Sequence, residues 1–236
     1  MDHVIWHDVE CGGYAADLPL WRELTAGVHG AVLDVGAGTG RVTLDLARRG
    51  VTVHALDVDP VLLEALDERA AGLPVQTHTG DARAFDLGRT FPIVLAPMQT
   101  VQLLGGEQGR RDFLAAARRH LEPGGLLAAA IAHDVDVYDS ELHVPVPDLR
   151  EVDGVVYASR PTAVRDAGAT FVLERRRERV GTDGRHEVTE DRIELDHLSA
   201  ATFEHEAAQA GFTVEPRREI PETDDHVGSE VAMLRA

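Results

Sequence analysis

The chain contains no lysine and no asparagine, and all 23 of its basic residues are arginines. A Schiff-base mechanism, a phosphate-binding loop ending in Gly-Lys and a kinase-type lysine each need a primary ammonium, so all three are excluded. Active sites built on an asparagine amide go with them. Cysteine is nearly absent: Cys11 alone cannot form an internal disulfide, a cysteine-based zinc cluster or an iron-sulfur site, and it fits a reducing compartment. Long apolar runs are missing too. The longest, Leu126 to Ala132, falls far short of the roughly 18 residues that span a bilayer. The start Met1-Asp2-His3 lacks the basic segment of a signal peptide, so the expectation is a cytoplasmic protein with no membrane partner.

Acid is what the chain has in excess, with 41 Asp and Glu against 23 Arg and a formal charge of −18. Such a balance repels a phosphate backbone, because nucleic-acid affinity rests on Lys and Arg neutralising phosphates. A small-molecule partner is expected instead. With 236 residues, 44% of them hydrophobic, the chain is long enough for one domain with a real core.

Ala31 to Val35 is a short apolar run that ends in glycines, the pattern of a buried strand meeting a tight turn. A helix is predicted over Thr39 to Arg49, stopped by Gly50. Val51 to Leu56 is a second strand, and Asp59 with Pro60 starts a helix whose face carries Leu62, Leu63 and Leu66. Further strands are predicted at Val75 to Thr79, Ile93 to Ala96 and Leu126 to Ala132, with a helix near Gln108 to Leu121 broken by Glu122-Pro123-Gly124-Gly125. Strands alternating with helices imply an α/β, doubly wound, mostly parallel sheet with ligands at the carboxyl ends of its strands. Past residue 135 the rhythm changes. Val155 to Val164, Thr170 to Val180 and His186 to Leu195 read as an antiparallel meander inserted after strand five. Ser199 then caps a helix to Gln209, and strands at Phe212 to Ile220 and Glu230 to Leu234 follow. Pro216 demands an edge or bulged position in the first of these.

Asp34-Val35-Gly36-Ala37-Gly38-Thr39-Gly40 lies where strand hands over to helix, and its three glycines let backbone approach a ligand closely. A dinucleotide fingerprint requires glycine where this chain has Arg41, so the ligand is read as a nucleoside of another kind. Asp57 ends the second strand, 21 residues past Gly36, where a carboxylate can accept both ribose hydroxyls. Gly80-Asp81-Ala82-Arg83 follows the third strand, and Ala96-Pro97-Met98-Gln99 tips the fourth. Taken in order with the Leu121 to Gly125 turn, these motifs resemble the class I methyltransferases that use S-adenosylmethionine. The resemblance is close from Ala31 to Ala132. The later meander and helix are similar to small-molecule N-methyltransferases of the nucleotide-sugar and glycine-sarcosine type.

That resemblance implies a Rossmann-like, seven-stranded sheet with S-adenosyl-L-methionine as cofactor. It implies that Gly36, Ala37, Gly38, Thr39 and Gly40 carry the methionine portion, Asp57 the ribose, and Val58 one face of the adenine. Asp81 and Ala82 would read the adenine edge, Asp34 would orient the loop or the ammonium, and Met98 would flank the sulfonium. Residues 1–29 are then an N-terminal lid or helical segment, 30–135 the cofactor-binding core, 136–197 a substrate-side insertion and 198–236 a C-terminal helix and strand pair.

On the acceptor side His133, directly after strand five, is the first candidate for orientation or proton removal, and Tyr14 is placed to act as a lid. Trp6, Gln99 and His186 are candidate substrate contacts, with His197 beside them. His3 and His7 have ligand-like spacing but no third ligand, so no metal is expected. Arg175, Arg176, Arg177 and Arg179 alternate on one strand and are expected to pair with neighbouring acids on exposed strand faces. The strand-four tip lacks the aromatic-ended proline pair of enzymes that methylate exocyclic amines of nucleic-acid bases. What is left is methyl transfer to N or O of a small polar metabolite by a monomer or homodimer. An NAD-dependent oxidoreductase and a non-catalytic cofactor-binding protein stay open as alternatives.

Overall fold

The computed structural model describes residues 2–132, 136–139, 146–224 and 226–236. Helices α1 (Asp2–Cys11) and α2 (Leu18–Thr25) lead into β1 (Val32–Val35), α3 (Arg41–Ala47), β2 (Val53–Asp57), α4 (Pro60–Arg69) and β3 (Val75–Thr79). After β4 (Phe91–Ala96) come a 3-10 turn (Thr100–Leu103), α5 (Gly106–Arg119) and β5 (Leu121–Ala132). Strands β6 (Tyr138–Asp139), β7 (Asp148–Val152), β8 (Val155–Asp166), β9 (Thr170–Val180) and β10 (His186–Asp196) follow, then α6 (Ala200–Gln209), β11 (Thr213–Ile220) and β12 (Ser229–Arg235). The chain forms two compact units: the described residues within Met1–Tyr14 and Val135–His197 make one, and those within Ala15–Asp134 and Leu198–Ala236 the other. Among the described residues no helix is long and apolar enough to cross a membrane.

The larger unit is a seven-stranded sheet in the order β11-β12-β5-β4-β1-β2-β3, parallel from β5 through β3 and antiparallel at β12 and β11. Every residue of β1 is buried, as expected for a parallel strand covered on both faces. Phe113, Leu114 and Ala117 of α5 join Phe203 and Ala207 of α6 in the main core, and Arg110 forks onto Glu206 at 2.8 and 2.7 Å between them. Both expected caps form. Asp59 accepts from the backbone of Val61 and Leu62, and Ser199 from Thr202. Pro216 does sit on an edge strand, at a break in register between Glu215 and Arg218. The first helix after the glycines is shorter than its apolar spacing suggested, because Gly40 still holds φ +95° and the helical turn starts only at Arg41.

The smaller unit is an antiparallel sheet in the order β10-β9-β8-β6, with β7 also pairing β8. The expected meander is its β8-β9-β10 portion; β6 and β7 are additions. Helix α1 lays Ile5 and Val9 on Tyr157. Beside them Glu10 accepts from Ser159 and twice from Arg177, each at 2.7 Å, while Arg177 also holds Asp191 at 2.8 Å. Burial pushes the Glu10 carboxyl up, but the Arg177 and Ser159 hydrogen bonds and the Arg175 charge outweigh it and hold it below the usual range. Arg175 is itself buried, bonded to Ser159 and Asp148. The arginines of β9 therefore do pair with acids: Arg176 with Glu178 and Arg179 with Glu187 on strand faces as expected, Arg177 with Asp191 of β10 and also with Glu10 of a helix, and Arg175 inside the unit.

Candidate active site

The loop after β1 is built on left-handed backbone, with φ of +74°, +53° and +95° at Gly36, Gly38 and Gly40. A β-carbon on Gly36 would lie 2.6 Å from Thr100 Oγ1, and one on Gly40 would collide with a Leu66 methyl. Thr100 is held there by donating to the Pro97 carbonyl at 2.8 Å. Amides of Gly36 and Ala37 donate to the Leu56 carbonyl, which ties the loop to β2. Asp57, the last residue of β2, accepts from the Gly38 amide at 2.7 Å on one oxygen and from the Asp59 amide at 2.9 Å on the other. Its carboxylate is thus fixed in place with lone pairs to spare.

Beneath the loop, Asp34 is 1% exposed. Thr43 of α3 donates to its Oδ2 at 2.6 Å, whereas its Oδ1 is buried without a hydrogen-bond partner. Burial pushes the Asp34 carboxyl up to about 6, against the pull of Thr43 and Arg41 and with the help of Asp57 and Asp17. An unpaired acceptor of this kind is costly unless a ligand uses it. Arg41, the residue that breaks the dinucleotide fingerprint, forks onto buried Asp17 at 2.5 and 2.7 Å, and Asp17 also accepts from the Trp21 indole at 2.8 Å. This ties α2 to the start of α3. Neither Thr43 nor the Asp17 pair was anticipated; a polar residue between buried Val42 and Leu44 was the available signal for Thr43.

Around this centre Val58 is 69% exposed, an apolar face beside the fixed carboxylate. Asp81 is gripped by the Arg83 guanidinium and amide, which hold its carboxyl below the usual range. Ala82 packs against the main core. Met98, half-buried, carries φ +54°, a strained conformation for a residue with a side chain, and Gln99 stands at the start of the 3-10 turn without a side-chain cap bond. The structure therefore gathers Asp34, the glycine loop and Asp57, with Thr100 as an unforeseen neighbour.

The acceptor-side candidates are distributed differently. His133 lies outside the described residues. Tyr14, buried, and Trp6 and His186 all belong to the smaller unit. Trp6 meets Tyr157 edge-on with ring centroids 5.2 Å apart, and His186 bonds Glu178 at 2.9 Å. Tyr157 pairs with Arg179, the residue next to Glu178 on β9, so Trp6 and His186 are served by opposite faces of that sheet. Among the described residues no group of three or more His, Cys, Asp or Glu is arranged to hold a metal ion.

Residues 32–125 match the family model of a methyltransferase domain. Over its whole length the chain resembles the S-adenosylmethionine-bound amino pentose methyltransferase of calicheamicin biosynthesis from Micromonospora echinaspora. The TM-score is 0.75 at 25% identity, with 99% of this chain and 96% of that one covered. The match to the family model makes residues 32–125 a methyltransferase domain. Two curated methyltransferases are also similar. The cypemycin N-terminal methyltransferase of a Streptomyces species is 33% identical over 40% of this chain and 38% of its own length. The dTDP-4-amino-2,3,4,6-tetradeoxy-D-glucose N,N-dimethyltransferase of Saccharopolyspora spinosa is 29% identical over 41% and 38%. The match thus spans about two fifths of these curated relatives.

The amino pentose methyltransferase is bound to S-adenosylmethionine, and the residues here fit such a group: Gly36 and Gly40 with no room for a β-carbon, a buried carboxylate oxygen of Asp34 without a hydrogen-bond partner and a fixed carboxylate at the β2 tip suit a cationic nucleoside. Two outcomes are expected here. Asp57→Ala is expected to weaken S-adenosylhomocysteine binding by about 1 to 3 kcal/mol in calorimetry, since a charged acceptor is lost and the Gly38 amide is left unpaired. Asp34 has the opposite sign for stability. With its folded pKa raised above the unfolded one, the folded state holds the extra proton between about pH 4 and 6, and stability falls as pH rises through that window. Asp34→Asn is therefore expected to stabilise the protein without ligand by about 1 to 3 kcal/mol above pH 6 and by little below pH 4. Denaturation curves at the two pH values check this.

Proposed function

We propose that this methyltransferase acts on a nitrogen of a small polar metabolite, an amine on a sugar or a comparable scaffold, with an oxygen acceptor as the second reading. The observation that carries it is the full-length likeness, meander included, to an amino pentose methyltransferase. An N-terminal and an N,N-dimethyl transferase among its relatives support nitrogen. When bound, S-adenosylmethionine supplies a methyl group already activated on a sulfonium, so the chain's task is alignment and exclusion of water. In this reading the Gly36, Ala37, Gly38, Thr39 and Gly40 backbone holds the methionine portion, Asp57 accepts the ribose hydroxyls, and Asp34 faces the ammonium with Thr43 fixing its other oxygen. Val58 covers the adenine, Asp81 and Ala82 meet its edge, and Met98 flanks the reactive centre.

In the larger unit Gln99, beside Met98 at the start of the 3-10 turn, is the candidate acceptor contact. An amine that sheds its proton before binding needs no strong base from the chain. A charge of −18 supports a small-molecule acceptor over nucleic acid, and we read the enzyme as cytoplasmic, metal-independent and monomeric or homodimeric. The test is calorimetry with S-adenosylmethionine and S-adenosylhomocysteine, followed by product release with dTDP-linked amino sugars and hydroxy analogues. Failure to bind either nucleoside would sink the reading, and turnover of hydroxy compounds alone would move it to oxygen.

A further inference from the structure

Strand β5 outruns its parallel neighbour: β4 ends at Ala96, level with Ala129, so residues 130–132 have no β4 partner. At that unpaired but buried flank Gln102, in the 3-10 turn, supplies the missing ladder with its side chain. Its Oε1 accepts from the Ala132 amide at 2.8 Å and its Nε2 donates to the Ala132 carbonyl at 3.5 Å. Gln102 is 1% exposed. Two residues earlier in the same turn, Thr100 fills the space over Gly36, and Val101 between them is fully buried in the main core. The turn is therefore a short rigid bridge with one foot on the glycine loop and the other on the end of β5. Strained Met98 lies at its entrance. Just past Ala132, between Asp134 and Val135, the chain passes into the smaller unit.

We propose that Gln102 is a positioning residue for methyl transfer: within the larger unit it fixes the carboxyl end of β5 relative to the glycine loop. This rests on the methyl-transfer reading above. A leucine of similar volume at 102 leaves the amide and carbonyl of Ala132 buried and unpaired, so that strand end loosens while the loop, held by Leu56 and Asp57, stays put. Glutamate at 102 is more informative. Protonated, it reproduces both bonds, accepting from the amide and donating to the carbonyl; ionised, it faces the carbonyl with like polarity.

The experiment compares the intact chain with Gln102→Leu and Gln102→Glu. Three quantities are read: S-adenosylhomocysteine affinity by calorimetry, hydrogen exchange at the end of β5, and turnover of dTDP-4-amino-2,3,4,6-tetradeoxy-D-glucose or of the panel amine that the parent chain methylates fastest. Gln102→Leu is expected to keep its nucleoside affinity within about twofold, to lose exchange protection at Ala132, and to lose about 10- to 100-fold in kcat, the scale of a misplacement near 1 Å. Gln102→Glu should match the parent at acid pH and the leucine variant at alkaline pH in kcat, with no such limb in nucleoside binding. Parent-like kcat in the leucine variant, a kcat loss matched by weaker nucleoside binding, or a glutamate variant with no added pH limb would each overturn the proposal. Failure of the methyl-transfer reading is distinguishable, because the parent chain itself would then release no S-adenosylhomocysteine.

Discussion

Gly36→Ala is expected to remove measurable cofactor binding while leaving a folded protein. Two independent costs meet at this position. Left-handed backbone at φ +74° costs an alanine about 1 to 2 kcal/mol. Its methyl would stand 2.6 Å from Thr100 Oγ1 and 2.8 Å from Thr100 Cγ2, which forces the loop or the 3-10 turn to move at a further cost of about 1 to 3 kcal/mol. Either movement spoils the cradle, so S-adenosylhomocysteine affinity should fall by about 100-fold or more. Adding Thr100→Gly removes the collision but not the backbone strain, so the double variant should regain part of the loss. Calorimetry on the set decides it; a Gly36→Ala protein that binds as the parent does would take the loop out of the site.

The second large effect is structural. Arg41→Gly restores the glycine that a dinucleotide fingerprint requires, yet it strips buried Asp17 of its forked partner and leaves only the Trp21 indole. An uncompensated buried carboxylate costs about 3 to 5 kcal/mol, which a urea denaturation curve reads directly. Asp17→Asn in the same background should recover much of that loss. NADH binding is not expected to appear, and its appearance would favour the oxidoreductase alternative.

The elements that local chemistry dictates were legible from residues alone. Asp59 before Pro60, Ser199 before an apolar helix face and Pro216 within an alternating strand each name one place in a fold, and each is found there. The glycine loop and Asp57 were legible for the same reason: the strand, the turn and the carboxylate at the next strand's tip follow one another within a few dozen residues. Long-range polar pairing was not. Arg177 meets Glu10 across 167 positions, and Arg110 meets Glu206 across 96, and in a chain with this many acids nothing local selects those partners. The tie from Thr100 to Gly36 escaped because it is steric, a hydroxyl and a methyl filling a space that exists only after folding.

The order of the larger sheet has a consequence for how the chain is made. Strand β12 lies between β5 and β11, so on the ribosome β11 emerges before the neighbour that would attach it to the sheet. Until β12 emerges, the flank of β5 from Leu126 to Ala132 stands open over the chain's longest apolar run. A bare apolar edge is a template for pairing with other nascent chains. Until β12 pairs with it, the β5 flank is therefore the edge through which two nascent chains could join, and closure by β12 removes it.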